Sequence, residues 1–240
     1  MNVKPYRSSP GGKKEQVEQM FDNISGKYDF LNHSLSANLD KFWRRKAIGH
    51  LKGIQIGHLL DVATGTGDMI YPAVRLQPGR ITGLDISEGM LSIAAKKFGG
   101  EYKGIPVEFI KGDSENLPFG DNHFDAETVA FGVRNFEDTL KGLKEMYRVL
   151  RPGGKLVVLE FSKPSRFPVK NIYQFYFRNM LPFFGRLVSR DKEAYTYLPE
   201  SVNAFPEKGD FLLLLEQAGF KNCAYETLTM GIATIYSGYK

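Results

Sequence analysis

Residues 59–69 read LLDVATGTGDM. A short apolar run carries an acid, Asp61. A loop with two glycines, Gly65 and Gly67, follows, and Asp68 comes directly after it. Glycine lets the backbone turn tightly and lets a ligand approach the main chain closely. A helix that follows such a loop offers free N–H groups, which in a dinucleotide enzyme cradle a pyrophosphate. Two carboxylates around this loop suit a cation better than a phosphate. By itself a glycine-rich loop also fits an ordinary turn between strand and helix, so its surroundings decide.

The surroundings repeat one rhythm. Apolar runs at 58–63 (HLLDVA), 80–86 (RITGLDI), 107–110 (VEFI), 124–131 (FDAETVAF) and 155–161 (KLVVLEF) alternate with helical stretches. Those helices follow Asp68, run from Ser87 to Phe98, and span 137–150. Such alternation predicts a parallel sheet with βαβ crossovers. FLLLLEQAGF (211–220) reads as a helix ending at Gly219. NCAYETLTM (222–230) and IATIYSGY (232–239) read as two closing strands that turn near Gly231. Upstream, residues 1–15 read as a mobile basic tail broken by Pro10-Gly11-Gly12. Residues 16–31 read as a helix followed by an aromatic turn, and 37–52 as a second helix starting at Asn38 or Asp40. The expected fold is α/β: a seven-stranded, mostly parallel sheet, helices on both faces, and a C-terminal antiparallel hairpin.

Composition narrows the class. Of 240 residues, 42% are hydrophobic and 25% charged, ordinary globular usage that excludes collagen, coiled coil and wholesale disorder. A single cysteine, Cys223, excludes an internal disulfide framework and Cys-based zinc patterns. His50, His58 and His123 show no metal-ligand spacing, so no metal is expected. No window approaches the roughly 18 consecutive apolar residues of a spanning helix, and the N-terminus lacks the apolar stretch of a secretory signal. A cytoplasmic protein is the expectation. The net charge of +5 is compatible with an anionic partner. No basic block extends beyond Lys13-Lys14, so nucleic acid is not expected.

Two further motifs bear on the loop. Asp85 ends the second run, 18 residues after Gly67, where an acid can hydrogen-bond a ribose 2′-OH. Ser87 caps the following helix and leaves Asp85 for the ligand. KGDSENLPFGDNHFD (111–125) places Asp113 and Ser114 after the third run. Asp113 suits an exocyclic adenine amine there; alone, the stretch also fits a surface turn.

Together these motifs resemble the class I S-adenosylmethionine-dependent methyltransferases, a Rossmann-like fold, over about residues 58–161. RVLRPGGKLVVLEFSKP (148–164), YDFLNHSLSANLDKFWRR (28–45), FGVRN (131–135) and YTYLPESVNAFP (195–206) are similar to the ubiquinone/menaquinone biosynthesis C-methyltransferase family. That resemblance covers nearly the whole chain from about Phe21. Two positions depart from it: Asp40 stands where relatives often carry His, and Ala130 where some carry Ser.

The resemblance implies S-adenosyl-L-methionine as methyl donor, held by Asp61, Gly65, Thr66, Gly67, Asp85, Asp113 and Ser114. It implies C-methylation of a polyprenyl quinol ring, demethylmenaquinol to menaquinol. The alternatives are the methoxy-benzoquinol of ubiquinone biosynthesis or another lipid-like small molecule. Arg134, Asn135 and His33 are the candidate catalytic residues. Arg134 suits a phenolate because guanidinium stays charged, unless it is used up in a salt bridge with Glu137 or Asp138. His33 titrates near neutrality. Tyr28, Tyr195 and Tyr197 are expected at the substrate. Residues 1–52 would cover the active site of a catalytic domain at 53–240, with an aromatic, basic insertion at about 165–205. Its core, FPVKNIYQFYFRNMLPFFGRLVSR (167–190), suits peripheral contact with the inner face of the cytoplasmic membrane. A homodimer is a further expectation.

Overall fold

The structure, a computed structural model, describes residues 3–6, 10–175 and 192–240. Its centre is β1 (His58–Val62), buried along its whole length. Parallel neighbours flank it: β2 (Arg80–Asp85) on one side and β5 (Phe124–Ala130) on the other. Outward from β2 come β4 (Ile105–Lys111), parallel, and β3 (Gly100–Tyr102), antiparallel. Outward from β5 come β6 (Leu150–Phe161), parallel, then β8 (Ala233–Tyr239) and β7 (Lys221–Leu228), both antiparallel. The order is β3-β4-β2-β1-β5-β6-β8-β7. The expected class and closing hairpin are present, with eight strands rather than seven. The extra strand, β3, is three residues long, too short to register as a pattern. It exists because Lys103 and Gly104, at φ 53° and 80°, make a tight turn back into β4, the left-handed pair that two-residue hairpins favour.

Helices cover both faces. α4 (Glu88–Phe98) is capped by Ser87, whose Oγ accepts the Met90 N–H at 3.1 Å, as expected. α5 (Thr139–Val149) is capped by Asp138 and buries Leu143, Met146 and Val149. α8 (Gly209–Ala218) lays Phe211 and Leu215 on the same face and stops at Gly219, φ 110°. On the opposite face α2 (Leu39–Gly49) buries Trp43, Ala47 and Ile48 beside the short α3 (Ile70–Ala73). Asn38 precedes α2 with φ 62° but gives no side-chain cap. Asp40 lies inside its first turn, buried, and does not begin it. α6 (Val169–Phe175) and α7 (Lys192–Ala204) follow β6.

The largest departure is at the N-terminus. α1 (Lys13–Leu35) is a 23-residue helix that begins directly after Gly12 and continues through the expected aromatic turn. Lys13 belongs to no mobile tail. Its Nζ is buried and donates to the carbonyls of Arg134 and Phe136 at 3.0 and 2.6 Å, and burial lowers its pKa to about 8.

One core residue breaks the apolar pattern. Glu127 on β5 is fully buried, in register with Leu60 and Leu156, and neither carboxyl oxygen meets a hydrogen-bond partner among the described residues. Burial raises its pKa well above 4.5, against the opposing charge of Lys240. The folded state therefore holds a proton that the unfolded chain releases above pH 4.5. Stability falls as pH rises from there until the buried carboxyl itself ionises, by about 1.4 kcal/mol per pH unit. Glu127→Met should flatten the fall in melting temperature with rising pH. Parallel curves for the two proteins would mean that the buried carboxyl contributes no such proton.

Candidate active site

The loop after β1 turns on Gly65 and Gly67, at φ 57° and 83°, conformations that side chains rarely adopt. A Cβ on Gly65 would point toward Tyr28, whose ring is 3.9 Å away; one on Gly67 would strike the Phe98 ring at 2.9 Å. The Asp85 carboxylate pins the loop. Its Oδ2 accepts the Gly65 N–H at 2.7 Å, and its Oδ1 accepts the Ser87 N–H at 2.9 Å. Burial raises its pKa to about 6, opposed by those N–H groups. Asp85 thus does two jobs, since it also lines the cleft beside the loop together with Gly65, Leu84, Met90, Asp113, Ser114 and Ala130.

The other predicted cofactor residues sit deeper. Asp61 is buried below the loop and accepts hydrogen bonds from Thr64 and Thr128, both at 2.6 Å; it does not line the cleft. Burial raises its pKa to about 6. Thr66 turns its hydroxyl away, to Asp29 on α1. Gly67 packs against the core side of the loop. These three shape the loop rather than wall the cleft.

α1 forms the opposite wall, with Val17, Phe21 and Tyr28. A row of polar contacts holds it down. Lys14 Nζ meets Asp113 Oδ2 at 2.6 Å, and Glu18 meets Lys111 at 2.8 Å. Asp22 accepts from Ser87 Oγ at 2.6 Å and from the Gly89 N–H at 3.0 Å, and Asp29 meets Lys97 at 2.6 Å. The enclosed space is about 70 Å³. Its charged lining is four acids, Asp85, Asp113, Glu115 and Glu137, against Lys14 alone. That acidic donor set suits the cationic S-adenosylmethionine that the resemblance implies. Asp85 and Asp113 both line this cleft, and Lys14 occupies the Asp113 carboxylate.

At its inner end the cleft meets an apolar cavity of about 440 Å³, and the two share Phe21, Tyr28, Phe131 and Asn135. Phe131 has φ 61°, a strained backbone for a bulky residue, which sets its ring at the junction. Arg134 and Asn135 lie on the turn after β5 and line the cavity, as expected. The salt bridge of Arg134 is made with neither Glu137 nor Asp138. Nη1 meets Glu160 Oε1 on β6 at 2.7 Å, a buried pair, while Nε has no hydrogen-bond partner among the described residues. Burial raises the pKa of Glu160, and the Arg134 charge opposes the rise. Tyr197 on α7 donates its hydroxyl to Asn135 Oδ1 at 3.1 Å. Burial raises the Tyr197 pKa to about 12, so the phenol stays protonated. The side chain of Tyr195 and residues 176–191 of the aromatic insertion lie outside the described residues.

His33 is the third candidate catalytic residue. It does not line the cavity. Its Nδ1 lies 2.9 Å from Asp40 Oδ2 and its Nε2 3.7 Å from Asp68 Oδ2, so it ties the end of α1 to α2 and to the loop. The three side chains come within metal-chelating distance of one another, but Lys97 and Arg44 share the cluster as cations. Pattern reasoning missed Lys14, Asp22, Arg44, Phe131 and Glu160 as parts of the site. Only the positions of Arg44, Phe131 and Glu160, inside the quoted signatures, carried a signal.

Asp85→Asn should keep a cooperative melt and weaken S-adenosylmethionine binding by about 10- to 100-fold, the worth of a charge-assisted hydrogen bond. Calorimetric titration reads this; unchanged affinity would remove Asp85 from the ligand.

Comparison with known proteins supplies the class. The chain is 48% identical to a demethylmenaquinone methyltransferase of Bacteroides fragilis over 239 residues, 99% of this chain and 97% of that protein. It is 44% identical to the ubiquinone/menaquinone biosynthesis C-methyltransferase UbiE of Geotalea daltonii over 230 residues, 95% of this chain and 97% of that one. A crystal structure of a SAM-dependent methyltransferase from Thermotoga maritima superposes with a TM-score of 0.66 at 22% identity, covering 93% of this chain and 99% of that chain, a likeness of fold. The family model matches residues 10–240. With an acid-lined cleft opening on an apolar cavity at the sheet's carboxyl edge, the chain belongs to the ubiE/COQ5 methyltransferase family.

Proposed function

We propose that this protein transfers a methyl group from S-adenosylmethionine to a ring carbon of a polyprenyl quinol, converting demethylmenaquinol to menaquinol. The observation that carries the reading is the meeting of two unlike spaces. A small acidic cleft suits a cationic nucleoside, and a large apolar cavity suits a flat ring with a hydrocarbon tail. They meet at Phe21, Tyr28, Phe131 and Asn135, where the reacting atoms must come together.

S-adenosylmethionine supplies an electrophilic methyl group on a sulfonium. The chain's part is alignment, exclusion of water and support of negative charge on the ring. Alignment of two bound reactants is worth at most roughly 7–11 kcal/mol. Asp85 and Asp113 hold the nucleoside, and α1 closes over it. Phe131, Phe161 and Trp43 line the cavity as a dry aromatic wall. Arg134, fixed by Glu160, places a permanent positive charge beside the ring and favours a quinol oxygen that has lost its proton. Asn135, with its oxygen engaged by Tyr197 and one amide N–H donating to the Phe131 carbonyl at 3.5 Å, has a second amide N–H for the ring oxygen. Tyr28, a phenol whose pKa burial raises, stays protonated as a donor at the junction.

The cavity mouth suits a quinol that stays in its bilayer. Leu39, Ile172 and Met230 line the cavity and are also solvent-exposed, with exposed Phe42 one turn along α2 and exposed Phe167 two residues before Val169. Exposed Lys41, Arg45 and Lys170 lie among them. An apolar rim with cations matches an anionic membrane surface, and no helix among the described residues is long and apolar enough to cross one.

Two measurements test this. Labelled S-adenosylmethionine with short-tailed, reduced demethylmenaquinone should give labelled product, and much less with the reduced methoxy-benzoquinone precursor. Label on the benzoquinol alone would move the enzyme to ubiquinone synthesis. Label on neither, with the methyl donor bound, would overturn the quinol assignment. Phe42→Ser with Phe167→Ser should cut turnover of long-tailed quinol in anionic vesicles about tenfold or more, from the lost burial of two phenyl rings, and spare the short-tailed substrate. Equal effects on both would remove the membrane from the reading.

A further inference from the structure

Arg44, next to Trp43 on α2, is 7% exposed, and no hydrogen bond from its guanidinium is found among the described residues. The two carboxylates that face it stay out of reach: Asp40 Oδ2 is 3.7 Å from Nε, and Asp68 Oδ2 is 3.9 Å from Nη2. Asp40 is already engaged by Ser36 at 2.6 Å and His33 at 2.9 Å. Asp68 meets Lys97 through its other oxygen, Oδ1, at 3.2 Å, and the Oδ2 that faces Arg44 has no hydrogen-bond partner among the described residues. A guanidinium never gives up its charge, and burying one with its donors unmet is costly. This one lines the apolar cavity.

Its neighbours there repeat the surroundings of Arg134. The Arg44 guanidinium carbon lies 5.3 Å from the centre of the Phe131 ring, and that of Arg134 lies 5.5 Å from the centre of the Phe161 ring. The two rings are 4.5 Å apart, centre to centre. Two cations therefore bracket one pair of phenyl rings in the wall of the same cavity. Tyr28 senses both. Burial raises its phenol pKa, and the charges of Arg134 and Arg44 work against the rise.

We propose that Arg44 is a catalytic residue whose open N–H groups bind the ionised hydroxyl oxygen of the acceptor ring. This rests on the quinol reading above. The ring hydroxyl releases its proton to solvent, and the oxygen keeps the electron pair. That charge spreads to the neighbouring ring carbon, which bonds to the methyl carbon as the methyl–sulfur bond breaks and its pair returns to sulfur. The ring carbon then loses its hydrogen as a proton, the oxygen regains one, and one proton is released overall. Arg44 binds the negative oxygen, and Arg134 adds a second fixed positive charge in the wall of the same cavity, which makes the first step favourable.

The test uses 2-naphthol, whose absorbance separates the neutral and ionised forms, on protein saturated with S-adenosylhomocysteine. Bound 2-naphthol should ionise at a pH about one unit or more below that of the free compound. Arg44→Gln should remove at least half of that shift, and Arg44→Lys should retain most of it. The acidic limb of the kcat/KM profile for the quinol should move to higher pH in Arg44→Gln alone. An unshifted midpoint in the unaltered protein, or an equal shift in a cooperatively melting Arg44→Gln, would overturn the assignment. Failure of the unaltered protein to bind 2-naphthol at all would instead overturn the quinol cavity itself.

Discussion

The sheet order reverses at β1, and the site follows from that reversal. The chain goes to β2 on one side and later to β5 on the other, so the loops leaving the carboxyl ends of these strands part and open a crevice. The loops after β1 and β5 begin with a left-handed residue, Ala63 at φ 51° and Phe131 at φ 61°. They then press together so closely that a Cβ on Gly132 would lie 2.5 Å from that of Ala63. The contact leaves the cleft on one side and the apolar cavity on the other, with Phe131 between them. Any side chain at 132 would force the two loops apart.

Into this gap the chain puts charge that it must then keep dry. Asp61 gains two hydroxyl donors, and Glu160 gains Arg134. Arg44 has nothing comparable. A buried ion pair contributes little net stability against an apolar equivalent, but removing one partner is strongly destabilising. The strain at Phe131 belongs to the same economy of form, since backbone held in a sparse region concentrates at functional sites.

α1 completes the site from outside the sheet. Its polar residues at 14, 18, 22 and 29 reach the domain at Asp113, Lys111, Ser87 and Thr66 in turn, while Val17, Phe21 and Tyr28 close the cleft. Lys14 sits on the Asp113 carboxylate and closes that end of the cleft. The same helix carries Tyr28 to the junction and His33 to Asp40, so one element walls the cleft and borders the cavity.

Local chemistry and short-range period were legible in the chain itself. Gly65 and Gly67, Asp85 at a strand end, Ser87 as a cap and the alternation of apolar runs with helices are features of a few neighbouring residues. They determined the parallel sheet, the cleft and the methyltransferase resemblance. The tertiary structure alone decided which groups meet across the sequence. It gave Arg134 to Glu160, 26 residues away, and set Thr66 on Asp29. It left Arg44 without a hydrogen bond among the described residues and tied His33 to Asp40. It also made α1 longer than its pattern suggested, because a polar helix face is indistinguishable from a loop until the acids and bases it contacts are in place. Periodicity reports which face is apolar; the partner of a buried charge depends on packing between distant strands, and no period encodes that.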